Sequence, residues 1–115
     1  MENGLNKVDG KAKGYSDYRK VLDDKTIDAV LVSTPFSTHS KIALDALDAG
    51  KHVYCEKTMA KGYDGITNLI DKVDGTNLVF QTGHQYHSSR LYTHVVDLIK
   101  SGKMEIGVDL FQRQT

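Results

Sequence analysis

The 115-residue sequence contains a single cysteine, Cys55. No disulfide can close within the chain, so a reducing compartment, the cytoplasm, is the expected setting. No apolar run approaches the length of a bilayer span, and the polar opening "MENGLNKVDGKAKG" has no signal-peptide core. Charge of one sign is not in excess: fifteen Lys and Arg balance fifteen Asp and Glu, interspersed along the chain. Nucleic acid or an anionic membrane would need a basic patch, so neither is an expected partner. Metal motifs such as CxxC and HExxH do not occur; His84 and His87, with Cys55, form the nearest set, and no metal is expected. Phosphate loops are missing too. Gly4, Gly10 and Gly14 fit no GxGxxG and follow no strand, and no GxxxxGK[ST] is present. No repeat or low-complexity tract appears.

What remains is a globular balance, 39% hydrophobic and 26% charged, at the length of one ordinary domain. Residues 1–14 read as a loop or as the end of a helix that begins earlier. "YSDYRKVLDDK" places Tyr15, Tyr18, Val21 and Leu22 at helical spacing, with Ser16 or Asp17 as N-cap. Ala29–Val32 is continuously apolar and rich in β-branched residues, the pattern of a strand buried on both faces. "STHSKIALDALDAG" predicts a helix closed by Gly50, and "HVYC" a second strand. "GYDGITNLIDKV" predicts a helix weakened by Gly62 and Gly65, and "NLVFQTG" a third strand. "SSRLYTHVVDLIKSG" predicts a helix ending at Gly102, and "EIGVDLF" a further strand. Strands alternating with helices imply βαβ units on a parallel sheet with right-handed crossovers, an α/β fold.

Ligands of open parallel sheets bind outside the carboxyl ends of the strands. Those ends carry Ser33-Thr34-Pro35-Phe36-Ser37-Thr38-His39, then Glu56-Lys57-Thr58, then Gly83-His84-Gln85-Tyr86-His87. Hydrogen-bonding and ionisable groups thus collect where a ligand belongs, whereas the opposite ends carry helix stops such as Gly50. Plainer roles compete for each. Ser37 and Thr38 also suit the cap of the following helix. His39 fits a solvated helix start, and Glu56-Lys57 fits an exposed ion pair. Cys55 reads as core, and Tyr18, Tyr54, Tyr63 and Tyr92 read as packing residues.

Taken in order, the strand ends resemble the second half of the nucleotide-binding domain of the Gfo/Idh/MocA oxidoreductases. The specific stretch is "IDAVLVSTPFSTHSKIALDALDAGKHVYCEKTMA", with T-P-x-x-x-H, A-G-K-H-V and E-K in family order and spacing. "YSDYRKVLDD" and "VFQTGHQYHSSRLYTHVVDLIKSGKMEIG" extend the likeness over most of the chain from Tyr15. The resemblance implies a partial Rossmann-like parallel sheet with flanking helices, lacking the first βαβ unit and with it the pyrophosphate turn. It implies NAD or NADP as cofactor, hydride transfer to or from a sugar or polyol substrate, and Lys57 as the catalytic residue beside the nicotinamide. Ser33, Thr34, Pro35, His39, Glu56, Lys57 and Gln85 correspond to positions along the cofactor. Residues 15–105 then form a partial cofactor-binding domain, and residues 106–115 begin a substrate domain that is otherwise missing. Thr58 stands where the family motif has proline, and "GKMEIG" is one residue shorter than the family pattern. A fragment of an oxidoreductase, inactive alone, is the expectation; the alternative is a non-catalytic half-Rossmann module. An exposed sheet edge invites pairing with another chain, including a second copy of itself.

Overall fold

The computed structural model describes residues 11–104, which fall into two units, one ending at Gly83 and the other beginning at His84. "EIGVDLF" lies outside the described residues. In the first unit the elements are α1 (Arg19–Leu22), β1 (Ala29–Val32), a 3-10 turn (Phe36–Thr38), α2 (His39–Asp48), β2 (His52–Cys55), α3 (Tyr63–Asp74) and β3 (Phe80–Thr82). The strands form a parallel sheet in the order β1-β2-β3. Val30, Val53 and Phe80 share one register position, and Val32, Cys55 and Thr82 another.

Side chains of a strand alternate between faces, and here one set forms the core. Val32, Val53 and Cys55 pack with Ala43, Ala46 and Leu47 of α2, Leu69 of α3 and Ala60, all buried. The other set contradicts the expected burial of β1 on both faces: Ala29 is exposed and Leu31 is 67% exposed. The cause is topological. A chain that runs β1-α2-β2-α3-β3 in one direction along a sheet, with right-handed crossovers, lays both helices on the same side.

The helix expected from Tyr15 shortens to four residues, with Tyr18 rather than Ser16 or Asp17 at its N-cap. Local side-chain bonds compete with it on both sides. Asp17 Oδ1 accepts from the Arg19 amide at 3.0 Å, and Asp24 Oδ1 accepts from the Thr26 amide at 2.9 Å and hydroxyl at 2.7 Å. Tyr18 fastens α1 to α2 instead, its hydroxyl donating to Asp45 Oδ2 at 2.5 Å.

Gly50 ends α2 as expected, at φ 76°, with its amide on Leu47 O and the Lys51 amide on Ala46 O. Lys51 then turns inward. It is buried, and its Nζ donates to Asp24 O at 2.8 Å and Ile27 O at 2.7 Å, fixing the turn that leads into β1. Gly65 acts as a close-packing position: a Cβ there would stand 3.1 Å from Ala60 Cβ and 3.3 Å from Ser40 Oγ. Tyr63, expected to pack, opens α3 at 79% exposure.

The second unit holds a 3-10 turn (Gln85–Ser88) and α4 (Arg90–Lys100), which stops before Gly102 as expected. No residue of α4 is buried; Tyr92 is 51% exposed and stacks on Tyr86 with ring centroids 5.3 Å apart. No helix among the described residues is long and apolar enough to cross a membrane.

Candidate active site

Parallel pairing brings the carboxyl ends of the three strands to one sheet edge. The ladder runs one step past the strands, with the Glu56 amide on Val32 O at 2.9 Å and the Gly83 amide on Cys55 O at 2.8 Å. The ends of all three strands are thereby held in line. Ser33, Thr34 and Pro35 are exposed after β1, Lys57 is exposed after β2, and Gly83 is buried after β3.

The Glu56 and Lys57 side chains have different surroundings. Glu56 is half-buried and its Oε2 accepts from the Lys57 amide at 3.3 Å. The carboxylate lies over Gly83: a Cβ on residue 83 would meet Glu56 Oε2 at 2.8 Å and the Tyr54 hydroxyl at 3.1 Å. Glycine is thus required for the approach of the carboxylate. The Lys57–Thr58 peptide bond is cis.

The loop after β1 is closed by hydroxyls. Thr38 Oγ1 donates to Pro35 O at 2.8 Å and lies 2.8 Å from Thr34 Oγ1. Neither Ser37 nor Thr38 caps a helix amide, so that plainer role is not the one they take. His39 is not a solvated surface residue either. Its ring is 2% exposed, with Nε2 2.6 Å from Thr34 O and Nδ1 2.8 Å from Thr58 O. It spans the loop after β1 and the turn after β2.

Cys55 packs in the core, where burial pushes its thiol up, with the neighbouring Glu56 charge adding to the effect. Gln85 opens the 3-10 turn of the second unit and is exposed there. Among the described residues, no group of three or more His, Cys, Asp or Glu is placed to hold a metal ion. Sequence reasoning gave no role to Gly83 and none beyond packing to Tyr54. The signal available was a glycine directly after a strand, the usual mark of close approach.

A parallel sheet with helices between its strands and polar loops gathered at its carboxyl edge defines an α/β nucleotide-binding fold. The model of the oxidoreductase family with an NAD-binding Rossmann fold, Gfo/Idh/MocA, matches residues 6–84, and the chain belongs to that family. It is 32% identical over 108 residues to the inositol 2-dehydrogenase of Salmonella paratyphi B, covering 92% of this chain and 31% of that one. It is 37% identical over 77 residues to the levoglucosan dehydrogenase of Pseudarthrobacter phenanthrenivorans, covering 67% of this chain and 20% of that one. A solved structure of levoglucosan dehydrogenase, in complex with NADH and levoglucosan, superposes with a TM-score of 0.78 at 29% identity, covering 88% of this chain and 27% of that one. In each case the chain spans less than a third of the relative's length.

The residues at the strand ends suit the nicotinamide side of such a cofactor. Ser33 and Thr34 present exposed hydroxyls of the kind that hydrogen-bond ribose and carboxamide groups, whereas Gly83 is buried beside the Glu56 carboxylate. The glycine-rich phosphate turn has no counterpart in these 115 residues.

Proposed function

We propose that this chain supplies the nicotinamide side of an NAD or NADP site in an oxidoreductase that transfers hydride to or from a sugar or polyol. The observation that carries this reading is the line of Ser33, Glu56 and Gly83 along one sheet edge, with Lys57 exposed next to Glu56. The cofactor, when bound, supplies or accepts the hydride. Lys57 is the catalytic residue: in reduction its ammonium hydrogen-bonds the carbonyl oxygen and passes it a proton as alkoxide charge develops, and in oxidation its amine Nζ takes the hydroxyl proton. Glu56 steadies the turn through the Lys57 amide. Ser33, Thr34 and Pro35 border the cofactor from the β1 side. His39 serves the cofactor through the loops it holds, since both ring nitrogens lie at backbone carbonyls.

A sugar or polyol substrate is supported by the names of the inositol and levoglucosan dehydrogenases. The buried, lone Cys55 fits a cytoplasmic setting. In the whole enzyme, residues 15–105 belong to the cofactor domain and residues 106–115 lead into the substrate domain. A second reading, a non-catalytic module that pairs with another chain or a second copy, is favoured by the open sheet face. Leu31 and Val79 are 67% and 61% exposed there, and among the described residues β1 is an edge strand.

Titration with NADH and NADPH, followed by cofactor fluorescence, separates the two readings. The first requires saturable binding that Lys57→Ala weakens. No binding of either cofactor at millimolar concentration, together with a concentration-dependent dimer in sedimentation, hands the chain to the second.

A further inference from the structure

Two tyrosine rings of the second unit are stacked in the open. Tyr86 and Tyr92 lie with ring centroids 5.3 Å apart and planes 20° apart, and they remain 72% and 51% exposed. Neither ring reaches a core: no residue of α4 is buried, and its half-buried side chains are Val95, Leu98 and Ile99. The backbone between the rings is tied at Ser89. Its amide donates to Tyr86 O at 3.1 Å, and its carbonyl accepts from the Thr93 amide at 3.0 Å and the Thr93 hydroxyl at 3.1 Å. The 3-10 turn that carries Tyr86 and the first turn of α4 that carries Tyr92 are thus joined at one residue, which keeps the rings together.

The same segment carries polar side chains with no task in the fold. His87, Ser88 and Arg90 are exposed, and among the described residues neither they nor the two phenol hydroxyls make a side-chain hydrogen bond or ion pair. An apolar surface flanked in the chain by free donors and acceptors does not suit a covering helix or sheet, which would bury those groups unpaired. It suits a ring polyol. The C–H bonds of such a ring form a weakly positive apolar face, which the negative face of an aromatic ring attracts. Its hydroxyls point outward, where imidazole, hydroxyl and guanidinium groups can take them.

We propose that Tyr86 and Tyr92 are a binding platform for a ring polyol or pyranose, the stacked rings taking its C–H face and His87, Ser88 and Arg90 its hydroxyls. The stack holds the rings in place before the ligand arrives, so less rotamer freedom is lost on binding. Ring shape is the basis of selectivity: an open-chain polyol carries the same hydroxyls but has no fixed C–H face. The ligand class rests on the function proposed above.

The test is amide chemical-shift mapping of the 15N-labelled chain against myo-inositol, with mannitol as the open-chain control, each run with and without NADH. Saturable shifts with a millimolar Kd are expected over Tyr86 to Thr93 for myo-inositol and not for mannitol. Tyr86→Ala should weaken myo-inositol binding about tenfold, whereas Tyr86→Phe, which keeps the ring, should bind within about twofold of the parent. Tyr86 lies outside the core, so the amides of the first unit should be unchanged in both variants. Amides that stay still with and without NADH, equal shifts with mannitol, or binding indifferent to Tyr86→Ala overturns the inference. The same spectra separate it from the proposed function. Polyol shifts without any NADH binding overturn the cofactor reading alone. NADH binding without polyol shifts overturns this inference alone.

Discussion

The carboxylate of Glu56 occupies the space that a side chain on residue 83 would need, 2.8 Å from where its Cβ would stand. The two positions are 27 residues apart in the chain and neighbours at the ends of β2 and β3. The atom in the way is the tip of a flexible side chain, so Gly83→Ala should not unfold the protein. A destabilisation of about 1 kcal/mol in urea is expected, at the low end for overpacking. The displaced carboxylate should weaken NADH binding several-fold. A variant that binds as tightly as the parent would show that the approach of Glu56 to Gly83 has no part in the site.

Lys51 gives a stability prediction with no bearing on the cofactor. Its buried Nζ donates to Asp24 O and Ile27 O, and Lys51→Met keeps the apolar stem while orphaning both carbonyls. Hydrogen bonds to charged groups each contribute a net ~1.5–3 kcal/mol, so a loss of about 3 kcal/mol is expected in urea unfolding. A loss under about half a kcal/mol would mean that water replaces the ammonium without cost.

The Tyr18–Asp45 bond predicts an acid limb. The Tyr18 hydroxyl, first of the causes, holds the Asp45 carboxyl below its ordinary range; the Lys41 ammonium adds to this and burial opposes it. A carboxyl lowered in the folded state contributes stability that is present above its unfolded-chain value and lost as pH falls through its folded-state value. Tyr18→Phe should therefore cost about 1 kcal/mol at pH 7. It should also flatten the fall of stability below about pH 4. Parallel acid limbs in parent and variant would contradict the assignment.

Much of the fold was legible because it rests on local pattern. The apolar run at Ala29–Val32, the stripe Ile42, Ala43, Ala46 and Leu47, and the stop at Gly50 each state their element within a few residues. The open face of the sheet was not legible. An apolar run looks the same whether one side or both are covered, and which side the helices take is decided by the order in which strands are added. The short α1 was hidden for another reason: Asp17 and Asp24 suit a helix end and a turn equally well by composition.

At the site, the positions of Glu56, Lys57 and the Ser33–Pro35 loop followed from strand order alone. His39 did not. A histidine opening a helix resembles a surface residue, and its burial depends on Thr58, 19 residues later. Lys51 was equally silent, since its carbonyl partners lie 24 and 27 residues earlier.

The proposed nicotinamide side of the cofactor site is the edge formed by the carboxyl ends of β1, β2 and β3. Amide chemical-shift mapping of the 15N-labelled chain against millimolar NADH tests it most directly. Saturable shifts are expected at Ser33, Thr34, Glu56, Lys57 and Gly83, reduced in Lys57→Ala, while Ala49 to His52 at the opposite edge stay still. Shifts scattered over the open sheet face, or none at the strand ends, would contradict it.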